Sequence, residues 1–223
     1  MSKKVTITID GRRISAHEGE KLLWVALDSG IYIPHLCAIR GQDRPPAGCR
    51  LCFVEVGGRL GPVTACTEPI REGMVVRTRT PRVDRLVETA FRLLLSDHRL
   101  DCKNCTKNGR CELQVIARER GLGPDRDPLQ PLPAKTYIDE SPRTFVFDPG
   151  RCVLCGRCVW VDQQVAGVGA IGFSGRGIRR RVTTFGDSNL AESPCTECGL
   201  CVEVCPVGAL FFKLPAKKTK GDS

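Results

Sequence analysis

Long apolar runs are absent from this sequence, and aromatic side chains are scarce. No stretch approaches the roughly 20 apolar residues that a membrane-spanning helix needs, so we expect no membrane span. Residues 1–10 contain no apolar core of signal-peptide length, which favours a cytoplasmic protein. Aromatic residues make up 5% of the chain and form no stacking stripe, so the net charge of +9 is weak support for a zinc-bearing nucleic-acid-binding module.

Two nucleotide-binding motifs are also missing. The sequence has no Gly-x-Gly-x-x-Gly after a strand, which would indicate a dinucleotide site, and no Gly-x₄-Gly-Lys-Ser/Thr, which would indicate a triphosphate site. We therefore expect no substrate chemistry and no catalytic residue in this chain.

Cysteine, by contrast, is abundant, with 14 in 223 residues. Because cytoplasmic thiols stay reduced, this number favours metal binding over disulfides. Four iron–sulfur clusters with thiolate ligands would add a charge of about −7, which would leave a net charge near +2. The excess of arginine is then explained as compensation for buried clusters.

The first group of cysteines comprises Cys37, Cys49, Cys52 and Cys66, separated by 11, 2 and 13 residues. A close pair with two outlying cysteines suits a two-iron cluster, because a loop must enclose it from several sides. Gly48 would let backbone N–H groups approach the sulfides. Four cysteines also form tetrahedral zinc sites, and that alternative stays open here.

The second group contains only three cysteines, Cys102, Cys105 and Cys111, so a four-iron cluster there needs a fourth ligand. His98 lies four residues before Cys102, at the end of a predicted helix. A lone histidine is more often an ordinary surface residue, but three neighbouring thiolates without a spare cysteine favour a ligand. We predict a cluster held by His98 and these three cysteines.

The third group is an internal repeat that consists of Cys152, Cys155 and Cys158, then Cys195, Cys198 and Cys201, then Cys205. Its second half has the C-x₂-C-x₂-C-x₃-C-P spacing of bacterial ferredoxins, in which the last cysteine serves the other cluster. Cys205 should therefore complete the first triplet. The equivalent ligand for the second triplet falls at Asp162, which either ligates iron or is an exposed acid beside a three-iron cluster. The expected cofactors are one [2Fe-2S] and two or three [4Fe-4S] clusters.

The patterns between the cysteines predict an α+β protein. Alternating residues from 5 to 16 around Asp10-Gly11 indicate a hairpin, with a helix at 21–29 and strands at 51–56 and 74–78. Helices are predicted at 82–97 and 111–120, and a hairpin insertion around 178–184. The resulting domains are 1–80, 81–121 and 144–223, with a linker at 122–143 and a basic tail from 216 onward.

The order of the three groups resembles the N-terminal part of the large iron–sulfur subunit of respiratory complex I. The same module occurs in iron-only hydrogenases, NAD-dependent formate dehydrogenases and NAD-reducing nickel–iron hydrogenases. The resemblance covers about residues 4–213, and the length of the chain resembles the small diaphorase iron–sulfur subunit of a soluble NAD-reducing [NiFe] hydrogenase. The departure is Asp162, where many relatives carry cysteine.

The resemblance implies a β-grasp [2Fe-2S] ferredoxin domain, a small helical His-Cys₃ domain and a bacterial ferredoxin-like domain. It further implies electron transfer between a flavin (FMN) NADH-binding subunit and the small and large hydrogenase subunits of a hetero-oligomer. A complex I-like NADH oxidoreductase, including a formate dehydrogenase, is the alternative. The iron–sulfur subunit of succinate dehydrogenase is disfavoured, because it lacks a His-Cys₃ group in this position.

Overall fold

The computed structural model describes residues 3–123 and 137–213. These residues form two compact units, one from residues 3–100 and 109–123 and the other from residues 101–108 and 137–213. The sequence predicts a separate helical domain at 81–121, whereas this division assigns residues 101–108 to the second unit. The basic tail and most of the predicted linker lie outside the described residues.

The first unit is built on a five-stranded sheet. Its strands are β1 (Lys4–Ile9), β2 (Arg12–His17), β3 (Phe53–Val56), β4 (Val63–Thr64) and β5 (Val75–Arg77). Their order is β2-β1-β5-β3-β4, with β1 and β5 parallel and the other pairs antiparallel. The predicted first hairpin is present, and its turn at Asp10 and Gly11 has φ angles of 49° and 81°. Positive φ at both positions gives the turn whose twist matches the flanking strands.

Helix α1 (Leu22–Asp28) buries one side of its short length and ends before Gly30, at φ 73°. Its buried side chains join the alternating apolar residues of β1 in a single core. Cys52 and Cys66 belong to the same core. The apolar pattern of the sheet and helix thus places two predicted ligands in a dry environment.

Two helices follow the sheet, α2 (Pro81–Ser96) and α3 (Glu112–Arg120). The hydroxyl oxygen of Thr80 accepts a hydrogen bond from the N–H of Val83 and caps α2, which begins with a proline. Gly121, in the left-handed conformation, ends α3. Both helices therefore lie where the sequence predicts them, since their ends are set by local capping residues.

The second unit contains α4 (Arg157–Gln164), α5 (Leu200–Glu203) and two small antiparallel sheets. The strand pairs are β6 (Phe145–Phe147) with β9 (Leu210–Phe212), and β7 (Gly172–Ser174) with β8 (Arg181–Thr183). The hairpin insertion predicted around 178–184 is present, and it spans residues 172–183. Ile178 lies in a 3₁₀ turn, and its alternation with polar residues reflects an exposed turn rather than a pleat. No helix in the described residues is long and apolar enough to cross a membrane.

Candidate metal centres

The four cysteines of the first group are brought together in the core of the first unit. Cys37, Cys49, Cys52 and Cys66 are each between 1% and 6% exposed. The thiol of Cys37 hydrogen-bonds to Cys49, and that of Cys52 hydrogen-bonds to Cys66. These hydrogen bonds and burial raise the pKa of Cys37 and of Cys52, and negative charge on Cys49 raises both further, so the two pairs are neighbours. Two neighbouring pairs of buried thiols fit a metal centre, because without a positive ion they cannot all become thiolates.

The backbone around Cys49 is arranged to stabilise a thiolate. The pKa of Cys49 is lowered, first by the hydrogen bond from Cys37 and further by backbone hydrogen bonds from Leu51, Cys37 and Leu36. The sequence predicts that Gly48 lets backbone N–H groups approach the sulfides of a cluster. A Cβ atom at Gly48 would meet nothing within 4 Å, and the left-handed residues are its neighbours Ala47 and Arg50, with φ of 49° and 54°. The turn itself does not require glycine at position 48, and the approach of backbone N–H groups to a bound cluster remains a prediction.

The second group is divided between the two units. His98, whose N–H donates to Leu95 O at 3.1 Å, follows α2 in the first unit, and Cys111 caps the start of α3 there. Cys102 and Cys105 belong to the second unit, where the N–H of Cys105 donates to Cys102 O at 3.2 Å. A single cluster held by all four side chains remains a prediction.

Cys105 packs closely on Gly208 within the second unit. A Cβ atom built on Gly208 would lie 2.4 Å from Cys105 Sγ and 3.6 Å from Arg151 Cδ. The buried Arg151 pairs with Asp148 at 3.3 Å and with Asp101 at 3.8 Å, so it anchors the segment that carries Cys102 and Cys105. No local pattern singles out Gly208 or Arg151, since both roles arise from contacts between distant segments.

Four predicted ligands line one nearly closed cavity of the second unit, with about 10 Å³ of space open to water. These ligands are Cys152, Cys155, Cys158 and Cys205. The remaining lining is apolar and glycine, from Phe147, Val153, Gly156, Val182, Val207, Ala209 and Leu210. Burial is the main cause that raises the pKa of Cys158, and the charges of the other three cysteines raise it further. A dry cavity with four thiols at its wall suits a four-iron cluster.

The two cysteine triplets are held by the same loop, built twice. Leu154 and Glu197, two residues after the first cysteine of each triplet, have φ of 53° and 55°. Their N–H groups donate to Cys152 Sγ and Cys195 Sγ, each at 3.4 Å. Backbone donors aimed at sulfur stabilise thiolate ligands and tune a bound cluster. The repeat in the sequence is therefore a repeat in structure.

A glycine follows the second cysteine in each loop. Gly156 and Gly199 have φ of 79° and 80°, and they begin α4 and α5. A Cβ atom at these positions would lie 3.2 Å from the Phe173 ring and 2.9 Å from the Phe212 ring. Left-handed backbone and close ring packing both demand glycine. The repeated Cys-x-x-Cys-Gly pattern is the feature of the sequence from which the role of these two glycines could be predicted.

The second triplet is more exposed than the first, and Asp162 lies near it. Cys198 is exposed, while Cys195 and Cys201 are half-buried. Burial raises the pKa of Cys201 to about 12, with the charge of Asp162 among the further causes, as it is for Cys195. Asp162 Oδ2 accepts a hydrogen bond from the N–H of Ile171 at 3.1 Å. The carboxylate is thus held near the triplet by a backbone contact.

None of the fourteen cysteines, all of which lie in the described residues, forms a disulfide. Among the described residues, no three histidine, cysteine or acidic side chains converge tightly enough to bind a single metal ion.

Three family profiles match successive parts of the chain. Residues 2–81 match a 2Fe-2S iron–sulfur cluster binding domain. Residues 88–126 match the NADH-ubiquinone oxidoreductase-G iron–sulfur binding region, and residues 145–211 match the ferredoxin-like domain of NADH-quinone oxidoreductase subunit 3. The predicted fold class is confirmed, with a two-iron ferredoxin domain followed by four-iron binding regions.

Curated relatives align over most of this chain. The chain is 37% identical to the NADP-reducing hydrogenase subunit HndD of Solidesulfovibrio fructosivorans, over 92% of this chain and 36% of that protein. It is 40% identical to an NADH-quinone oxidoreductase subunit of Rhizobium meliloti, over 93% of this chain and 24% of that protein. The chain thus spans about a quarter to a third of the length of these relatives.

A solved structure matches over nearly its whole length. In the crystal structure of an NAD⁺-reducing [NiFe]-hydrogenase in the H₂-reduced state, one chain superposes with a TM-score of 0.82 at 33% identity. The match covers 96% of this chain and 90% of that chain.

Proposed function

The chain belongs to the family of iron–sulfur subunits found in NAD⁺-reducing hydrogenases and NADH-quinone oxidoreductases, and on that premise we propose the two sites that it connects. It carries single electrons between a flavin and NAD(H) site on one partner subunit and a hydrogenase active site on another. The observation that carries this proposal is the similarity to the hydrogenase chain, which is matched over 90% of its length. Because the chain has no Gly-x-Gly-x-x-Gly after a strand and no Gly-x₄-Gly-Lys-Ser/Thr, we expect catalysis to take place on the partners.

The three groups of cysteines would supply four sets of cluster ligands, because the third group contains two triplets. Cys37, Cys49, Cys52 and Cys66 would hold a [2Fe-2S] cluster, and His98, Cys102, Cys105 and Cys111 a [4Fe-4S] cluster. Cys152, Cys155, Cys158 and Cys205 would hold another, and Cys195, Cys198, Cys201 and Asp162 the third. When bound, each cluster would accept and release one electron at a time. The protein's part is to bury the ligands, direct backbone N–H groups at sulfur and keep the sites apart from water.

The proposed partners are an FMN-containing NADH-binding subunit and the small and large hydrogenase subunits. We place this hetero-oligomer in the cytoplasm, where thiols stay reduced and can take up iron. The 40% identity to an NADH-quinone oxidoreductase subunit favours a second candidate, a complex I-like NADH oxidoreductase with a different electron acceptor. Both candidates use the same electron path and differ in the enzyme at its far end.

Purification of the tagged, full-length chain from its native cells tests this proposal. Co-purification of an NADH-binding flavoprotein with hydrogenase subunits is the expected result, and the complex should reduce a dye with either NADH or hydrogen. Recovery of a succinate dehydrogenase flavoprotein, or of the chain with no redox partner, would overturn it. Recovery of a formate dehydrogenase or a quinone-reducing partner would support electron transfer by this chain and replace the hydrogenase with a different partner enzyme.

Replacement of His98 by cysteine is expected to lower the reduction potential of one four-iron cluster. A thiolate in place of a neutral imidazole adds a negative charge, which should lower the potential by on the order of 100 mV. A redox titration followed by electron paramagnetic resonance measures the shift. His17→Cys, at an exposed residue of β2, is the matched control. An identical titration for His98→Cys and the parent protein would exclude His98 as a ligand.

Gly208→Ala is expected to damage the same cluster through Cys105. The new methyl group would lie 2.4 Å from Cys105 Sγ, so either the sulfur or the backbone has to move. We expect the loss of about four irons and of one cluster signal. Gly172→Ala, where a Cβ atom has no neighbour within 4 Å, should leave the iron content unchanged. Full iron content in the Gly208 variant would show that Cys105 does not ligate iron in this position.

A further inference from the structure

The arginine hairpin, defined here as residues 172–183, presents an ordered loop to solvent. It consists of β7, β8 and the turn between them. Gly175 has φ of 70°, and a Cβ atom there would lie 2.4 Å from Arg179 O, so the turn closes tightly on its own backbone. The N–H of Arg179 donates to Arg176 O and that of Arg180 to Gly177 O, both at 3.1 Å. The arginines of this turn are therefore held in a fixed arrangement.

The turn carries an unbalanced positive charge. Arg176, Arg179 and Arg180 are exposed, and the guanidinium of Arg180 lies 3.9 Å from the centre of the Phe173 ring. Arg181 pairs with Asp187, but within residues 3–123 and 137–213 no carboxylate forms an ion pair with the three turn arginines. Three fixed cations without local counter-ions favour an anionic partner.

One exposed apolar side chain belongs to the same turn as these arginines. Ile178 is 75% exposed and lies between Arg176 and Arg179 in the chain. Phe185, which is 98% exposed, follows β8 at the opposite end of the hairpin. An exposed isoleucine among three arginines has the composition of a protein docking surface.

The inner face of the hairpin covers the cavity of Cys152, Cys155, Cys158 and Cys205. Val182 is buried and lines that cavity. The Phe173 ring lies against Gly156 in the loop between Cys155 and Cys158. The positively charged turn therefore joins two strands that contact the predicted cluster site directly.

We propose that the arginine hairpin docks the acidic face of a small one-electron carrier protein, beside the site formed by Cys152, Cys155, Cys158 and Cys205. The inference rests on the proposed function, since it takes this cavity to be a cluster site. Charge complementarity selects the partner, and the exposed Ile178 fixes its position. Phosphate groups of nucleic acids also attract arginine, but the hairpin's position over a redox site favours a carrier protein.

Isothermal titration calorimetry with an acidic plant-type [2Fe-2S] ferredoxin as the probe tests this proposal on the full-length, metal-loaded chain. We expect binding that weakens as ionic strength rises. The triple variant Arg176→Gln, Arg179→Gln, Arg180→Gln should raise the dissociation constant by about tenfold or more at low salt. Lysine at the same three positions should largely restore binding, since it keeps the charges. Ile178→Ser should weaken binding and leave the salt dependence unchanged.

The control removes the same charge from exposed arginines of the first unit, through Arg13→Gln, Arg44→Gln and Arg77→Gln. Its dissociation constant should change by less than about twofold. If both triple variants bind ferredoxin equally weakly, net charge alone explains the effect and the proposal is overturned. Ferredoxin binding that does not change with salt would also overturn it. So would binding of a DNA duplex that the hairpin variant loses, if ferredoxin binding is the same in that variant and the parent. Iron and sulfide content of the same samples tests the proposed function separately.

Discussion

Replacement of Cys205 by alanine is expected to damage the cluster of the first triplet and to leave that of the second triplet intact. Cys205 is closest in sequence to Cys201, yet it lines the same cavity as Cys152, Cys155 and Cys158. Without its thiol, one corner of a four-iron cluster would face an apolar wall with no donor to replace the lost ligand. We expect the loss of between about one and four irons per chain from this site alone.

The measurement that checks this is Mössbauer and electron paramagnetic resonance spectroscopy of the anaerobically reconstituted variant. Cys201→Ala is the matched control, since it removes a neighbouring thiol that belongs to the other set. Each variant should lose a different cluster signal. If Cys205→Ala and Cys201→Ala remove the same signal, the ligands do not cross between the repeats.

Asp162 decides how many irons the second triplet holds. With Asp162 as a ligand, the reconstituted chain should contain about 14 irons, from one two-iron and three four-iron clusters. Carboxylate–iron bonds are weaker than thiolate–iron bonds at such clusters, and the second triplet is partly exposed. We therefore expect Asp162→Ala to convert this site into a three-iron cluster, with a loss of about one iron. Asp162→Cys should retain all four irons.

A structural role of Asp162 has to be separated from ligation. Its carboxylate also accepts the hydrogen bond from Ile171 N–H, so loss of this contact alone could disturb the loop. Asp162→Asn keeps an acceptor for Ile171 but offers a poorer iron ligand, and it should show the same three-iron signal as alanine. A content near 10 irons in the parent protein, unaffected by any of these changes, would contradict the assignment.

Local signals allow the sequence to predict much of the fold. Asp10-Gly11 determines a hairpin, Thr80-Pro81 starts α2, and Gly121 ends α3, because each acts on its own segment of backbone. The repeated loops of the two triplets can be predicted for the same reason, since Cys-x₂-Cys spacing leaves the backbone little freedom; which cysteines share a cluster remains a prediction.

Contacts between distant segments cannot be predicted in this way. Nothing near Gly208 in the sequence indicates that Cys105 packs on it, and nothing near Asp101 indicates its pairing with Arg151. The hairpin predicted at 178–184 begins earlier, because residues 172–174 form its first strand and Ile178 lies in its turn. The arginine hairpin is recognisable as a surface only once β7 and β8 place it over the cavity.

Metal and sulfide content of the full-length chain, purified without oxygen from iron-sufficient cells, tests the central claim most directly. The account predicts roughly 14 irons with a similar number of acid-labile sulfides, little zinc, and a brown protein whose colour bleaches on reduction. A colourless chain that holds zinc at its cysteines and contains no labile sulfide would contradict it.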